Sequence, residues 1–236
     1  MSTQSHVTPP AETHVPIVPP LESGDCLTRP EFERRYASRP WWLKDAELVN
    51  GAVFVRSSVV EPHSVARSKW ALWFSAYAAR SPGVSYADDG SLRLDMANLL
   101  QPDALLRVIS GGQSKVDEDG YVNGGPELVA EVALTSASRD LHSKLAVYCR
   151  HGVREYIVWR VLDGDLDWFR LVAGQYERQS PDAQGIFRSQ VFPGLWLDKP
   201  ALLRGDMAAV LTTLNLGLAS PEHAALALAV SKTTSA

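Results

Sequence analysis

Residues 126–134, Pro-Glu-Leu-Val-Ala-Glu-Val-Ala-Leu, are apolar except for Glu127 and Glu131, and a segment of helical length and a second apolar run, Glu155 to Val161, follow them. A short apolar run bounded by glycine and proline reads as a strand buried on both faces. Residues 126–134 are therefore expected as a central strand, with 154–161 beside it. Glu131 then needs an explanation, because a carboxylate in such a strand is costly to bury unless a cation, a proton or a hydrogen bond compensates it. Asp103 opens the preceding strand-like run just after Pro102. Adjacent strands would bring the two carboxylates within reach of one divalent ion, and Mg²⁺ favours hard oxygen ligands of this kind. Lys144 lies near the middle of the helix expected over Ser138–His151, which Gly152 ends. From there an ammonium could lean over the strand end, orient the attacking water and offset transition-state charge. Singly, each residue has a bland explanation: Asp103 as an exposed strand start, Glu131 as an arginine's partner, Lys144 as part of a solvated helix face. The ordered trio is what points to chemistry.

The rest of the chain frames that trio. At 236 residues, with 45% hydrophobic and 21% charged residues, one buried domain is expected over 28–199. Residues 1–27, proline-rich and aperiodic, are expected as a disordered tail, and residues 200–236 as a helical tail. Thr28, Pro30 and Glu31 have the spacing of a capped helix start. Asn50-Gly51 favours a β-hairpin turn within Ala46–Ser57. Val65, Ala66, Trp70, Trp73, Phe74 and Tyr77 recur at helical spacing over Pro62–Arg80, so this helix should lie on a sheet. Residues 84–87, 91–95 and 103–109 read as strands, and 110–125 as an exposed loop. Strands should return over 165–172, 174–180 and 187–192 as an antiparallel extension.

A net charge of -4 argues against a protein that coats nucleic acid through bulk electrostatics. It leaves room for an enzyme that binds DNA through a few ions and a local basic patch. Cys26 and Cys149 are too few and too isolated for a disulfide framework or a thiolate metal site. No stretch approaches the roughly 18 apolar residues of a membrane span, and no basic region precedes an apolar one at the N-terminus. A cytoplasmic location is expected.

The segments Gln101-Pro-Asp-Ala-Leu-Leu106, Gly125-Pro-Glu-Leu-Val-Ala-Glu-Val-Ala-Leu134 and Ser136 to Trp159, with the series Asp140, Lys144, Tyr148, Gly152, Val153, Glu155 and Tyr156, resemble the Uma-two family of restriction endonucleases, within the PD-(D/E)XK nuclease superfamily. The likeness runs from about Glu47 to about Leu197. It implies an α/β restriction-endonuclease-like fold, a central mixed sheet flanked by helices with extra strands, and Mg²⁺-dependent hydrolysis of DNA phosphodiester bonds. Mn²⁺ is the alternative ion. Asp103 and Glu131 would be metal ligands with the carbonyl of Val132 as a third, and Lys144 would be catalytic. Glu47 and His63 match positions that could reach the metal or a phosphate, and Asp140 would hold Lys144 by i,i+4 pairing. The superfamily lysine two residues after the second acid is replaced here by Ala133, and Lys144 matches a migrated position. Arg160 stands where an aspartate is common. Arg139, Arg150, Arg154 and Arg160 form a weak candidate phosphate-binding set. Cutting both strands calls for two active sites, so a homodimer is the expected assembly. The rival readings are a nucleic-acid-binding module that keeps the fold without cleaving, and an interaction protein in which an arginine fork holds Glu131.

Overall fold

A computed structural model of the chain describes residues 18–39, 46–56 and 60–226. Helix α1 (Arg29–Ser38) starts after Thr28, but the Thr28 side chain makes no capping hydrogen bond. Glu31 does not reach back to close a capping box; Arg34 and Arg35 take its carboxylate at 2.6–2.8 Å. Strands β1 (Ala46–Val49) and β2 (Ala52–Val55) form the expected hairpin. Asn50 and Gly51 at its tip have φ of 52° and 79°, a left-handed backbone that Asn and Gly adopt at low cost. Helix α2 (Glu61–Ala78) buries Ala66, Trp70, Trp73, Phe74 and Tyr77. Val65, read as part of that stripe, is 43% exposed: it lies at the margin of the buried face, where periodicity alone does not say which side packs.

Strands β3 (Val84–Asp88), β4 (Leu92–Asp95), β5 (Asn98–Leu100) and β6 (Ala104–Val108) follow. The expected loop over 110–125 carries two two-residue strands, β7 (Lys115–Val116) and β8 (Val122–Asn123). Next come β9 (Leu128–Ala133), a helical stretch over 137–150, β10 (Glu155–Arg160), β11 (Asp165–Val172) and β12 (Gln175–Arg178). One six-stranded sheet has the order β2-β1-β5-β4-β8-β7, and the other runs β12-β11-β10-β9-β6-β3. In the second sheet only β9 and β10 are parallel, so the sheet is mixed as expected. The expected strand over 187–192 shortens to β13 (Ile186–Arg188), which pairs with β14 (Trp196–Asp198) apart from both large sheets.

The second sheet is buried on both faces, and strand alternation sorts its residues. Leu128, Ala130 and Val132 of β9 and Ile157 and Trp159 of β10 pack with the α2 aromatics. Val129 and Ala133, with Tyr156 and Val158, pack on the opposite side with Val147 and Tyr148. Glu131 shares the period-two face of Val129 and Ala133, and so points toward the helical stretch over 137–150.

Both expected tails need correction within the described residues. Residues 18–27 are packed rather than loose: Leu21 is buried in a small core with Phe32, Leu48 and Val53, Cys26 bridges to Ala52, and the Gly24 amide donates to the Val53 carbonyl. A short segment with one apolar anchor has no periodicity to reveal it. Residues 1–17 lie outside the described residues. At the other end, α5 (Lys199–Arg204) and α6 (Met207–Leu218) place Ala201, Leu202, Val210, Leu214 and Leu218 in the largest core cluster, so they complete the core. Among the described residues no helix is long and apolar enough to cross a membrane.

Candidate active site

Strand register brings the two acids together. β6 and β9 are antiparallel with Ala104 opposite Ala130 and Leu105 opposite Val129; one more step of that register sets Asp103 opposite Glu131. Facing residues on neighbouring strands have Cα atoms about 4.5–5.5 Å apart, so both residues stand at the end of β6 and line the same cavity. The Val132 amide donates to Asp103 Oδ2 at 2.7 Å. Asp103 Oδ1 is buried without a hydrogen-bond partner, with His63 Nε2 at 3.6 Å and Arg67 Nε at 3.5 Å. Burial would raise the Asp103 carboxyl, but His63 and the Val132 amide outweigh it and hold the group below its usual range.

Lys144 arrives from above. The helical stretch consists of α3 (Ala137–Arg139), a π turn (Asp140–Lys144) and α4 (Leu145–Arg150). Single π turns inside helices often mark functional sites, and this one buries both Asp140 and Lys144. The Lys144 ammonium lies 2.6 Å from Glu131 Oε1 and 2.9 Å from Glu47 Oε1. Asp140 Oδ1 stands 4.0 Å from it, too far for a hydrogen bond. The expected i,i+4 pairing is present as a long ion pair, and Glu47 and Glu131 hold the ammonium more closely. The Asp140 Oδ2 atom accepts from the Ser136 hydroxyl instead.

Burial pushes the Glu131 carboxyl up to about 8, with repulsion from Asp140, Asp103 and Glu47 adding to the effect and Lys144 opposing it. Burial would lower Lys144, but Glu131, Glu47 and Asp140 together raise it above its ordinary value. Lys144, Arg56 and the Gln101 amide lower Glu47 against the opposing effect of burial. The ammonium is thus held charged among carboxylates.

Asp103, Glu131 and Lys144 line one cavity of about 650 Å³, together with His63, Arg56, Val132, Arg139 and Asp140, and Glu47 lies behind it against Lys144. All three expected catalytic residues and all three secondary candidates, Glu47, His63 and Asp140, gather in or against it. Two residues whose roles the sequence did not reveal also take part. The Tyr148 hydroxyl donates to Glu131 Oε1 at 2.8 Å, and Arg56 approaches Glu47 Oε1 at 3.6 Å. Tyr148 lies four residues after Lys144, on the same helix side, and that spacing, with its place in the family-like series, is the signal that could have found its role. No arginine fork holds Glu131 among the contacts of the described residues.

The family model described as "Putative restriction endonuclease", Uma2, matches residues 30–200. The chain belongs to this family. A crystal structure of a putative nuclease from Anabaena variabilis superposes with a TM-score of 0.53 at 14% sequence identity, covering 67% of this chain and 87% of that one. At that identity the likeness speaks for the fold. A comparison with curated proteins gives no match. In this Uma2 chain, Ala133, two residues after Glu131, is buried in the core beneath the helical stretch, while Lys144 brings an ammonium to Glu131 from the helix side. Arg160 binds Asp165 and Asp167 at 2.7 Å, across the hairpin that joins β10 to β11.

Among the described residues no three His, Cys, Asp or Glu side chains are gathered closely enough to hold a metal by themselves. The donors that could serve a hard divalent ion are Asp103 Oδ1, which accepts no hydrogen bond, the Glu131 carboxylate and the main chain at Val132, all lining the cavity, with water completing the shell as Mg²⁺ prefers.

Proposed function

We propose that this chain is a Mg²⁺-dependent DNA endonuclease, with Mn²⁺ as the alternative ion. The observation that carries the reading is that Asp103, Glu131 and Lys144, far apart in sequence, line one cavity. Asp103 and Glu131, with the Val132 carbonyl, would hold the ion. When bound, it supplies Lewis-acid stabilisation of phosphate charge and activation of water. Lys144, whose proton affinity is raised, acts as a permanent charge donor and not as a base. Its ammonium offsets negative charge that develops on the phosphate oxygens. Glu47 orients that ammonium, and Tyr148 steadies the Glu131 carboxylate. His63 beside Asp103 is placed to meet a phosphate oxygen or a water. A homodimer would supply the two sites needed to cut a duplex.

Plasmid cleavage by the purified full chain in Mg²⁺, in Mn²⁺ and in EDTA tests the reading. Activity in metal and none in chelator is expected. Asp103→Asn should weaken metal binding and cleavage together. Lys144→Ala should retain metal by calorimetry yet cleave on the order of a hundredfold more slowly, as loss of a charge-stabilising donor does. Retained cleavage in both variants would sink the assignment. DNA binding without metal-dependent cleavage by the parent would favour a binding module on the same fold.

A further inference from the structure

Four arginines were candidates for phosphate contact, and three are engaged elsewhere. Arg150 donates to Asn50 Oδ1 at 2.7 Å, Arg154 to Gln113 Oε1 at 2.6 Å, and Arg160 to the aspartates of the β10–β11 hairpin. Arg139 differs. It lines the catalytic cavity, and its buried Nε donates to nothing. The nearest carboxylate oxygens, Glu47 Oε2 and Asp140 Oδ1, each stand 4.0 Å from the guanidinium, beyond hydrogen-bond range. Both of those oxygens are also buried without partners. The guanidinium instead rests over the Phe54 ring at 5.2 Å.

An arginine fork built for bidentate oxygen recognition is therefore held between two carboxylates by long ion pairs, with no hydrogen bond to either. Turning it toward a ligand in the cavity breaks no hydrogen bond, and an incoming anion would satisfy a buried donor that has none. Phe54 gives the planar group a face to slide on. The mixture of charges also calls for such a residue. Asp103, Glu131 and Asp140 line this space, with Glu47 behind Lys144, so an anionic strand entering it needs counter-charge beyond that of Lys144 and Arg56.

We propose that Arg139 forms a phosphate subsite, separate from the Asp103, Glu131 and Lys144 trio, that binds the phosphate next to the one hydrolysed in a nucleic-acid strand. The strand as ligand rests on the nuclease reading; the anion site itself does not.

Arg139→Ala and Arg139→Lys in the full chain test it by fluorescence anisotropy with a labelled single-stranded oligothymidine in EDTA over a salt series, with inorganic phosphate as competitor. Melting temperature and cleavage kinetics are recorded in parallel. For Arg139→Ala the expected result is about tenfold weaker oligonucleotide binding and a salt slope shallower by about 0.7, the value for one single-strand phosphate. The cleavage loss should fall on KM more than on kcat. Arg139→Lys should restore the slope with only part of the affinity. Competition by inorganic phosphate at low concentration would mark the free ion, and not a strand, as the ligand, and would overturn the strand subsite. An unchanged slope with a lowered melting temperature would show a purely structural role and overturn it too. Arg139-dependent binding by a parent that never cleaves would leave the subsite standing and remove the nuclease reading. Cleavage with parental KM and slope in Arg139→Ala would do the reverse.

Discussion

Glu155 shows what burial does to a carboxyl that has hydrogen bonds but no close counter-ion. It is 1% exposed, accepts from the Ser189 hydroxyl at 2.6 Å and the Gln190 amide at 2.8 Å, and is pushed up to about 6 because burial outweighs those bonds. The folded chain then holds this proton more tightly than the unfolded chain, whose carboxyl titrates near 4.5. Stability from this group is fully present below pH 4.5 and is lost as pH rises through 6, by about 2 kcal/mol at about 1.4 kcal/mol per unit. Thermal melts of the parent and of Glu155→Gln across that window should differ in slope, the parent losing more. Parallel curves would show that the carboxyl does not titrate there. Glu131 is the contrasting residue, since charged and hydroxyl partners converge on it. The sequence revealed that Glu131 needed compensation, but not that Lys144 and Tyr148 share one oxygen, because that depends on helix rotation.

At the scale of elements, the π turn decides which side chains enter the cavity. An α-helix advances about 100° per residue, so removing one residue from this turn rotates α3 relative to α4. Asp140 and Lys144 could not then both face Glu131. The turn is anchored by Tyr156, whose hydroxyl donates to the Asp140 carbonyl at 3.0 Å. Deleting the exposed His142 should leave a helix-rich, cooperatively melting protein whose cleavage falls about a hundredfold, as for loss of the Lys144 charge. Circular dichroism with plasmid cleavage checks this. Parental activity in the deletion would show that the π register is not needed. The helix itself was legible from its length between two apolar runs and from Gly152; the π turn was not, since five-residue and four-residue hydrogen-bond registers leave almost the same pattern in a stretch this short.

At the scale of the whole molecule, the segments outside the central sheet act as load on the core. The indole of Trp73 donates to the Trp196 carbonyl at 3.0 Å, Tyr77 donates to Pro193, and the buried His223 meets Ser81 at 2.9 Å. These bonds tie α2 to the C-terminal region. Leu214, on α6, is 1% exposed within the core shared with Trp70 and Trp73. Leu214→Ala should therefore destabilise the protein by about 2–5 kcal/mol, the cost of a buried cavity. Denaturant unfolding measures it; a change below about 0.5 kcal/mol, typical of surface sites, would return α6 to the status of an appendage.

What the sequence alone determined were features set by local rules. The Asn50-Gly51 turn, the α2 stripe, the apolar β9 and β10 runs and the chemical oddity of Glu131 all follow from backbone preference or from the cost of burying charge. Even the adjacency of Asp103 and Glu131 was foreseeable, because it needs only neighbouring strands. What tertiary structure decided was rotation and closure: Lys144 gripped more closely by Glu47 and Glu131 than by Asp140, Leu21 packed under the hairpin, α5 and α6 drawn into the core. Each depends on packing between segments distant in the chain, where the energy comes from surface buried in common and leaves no mark in either segment by itself.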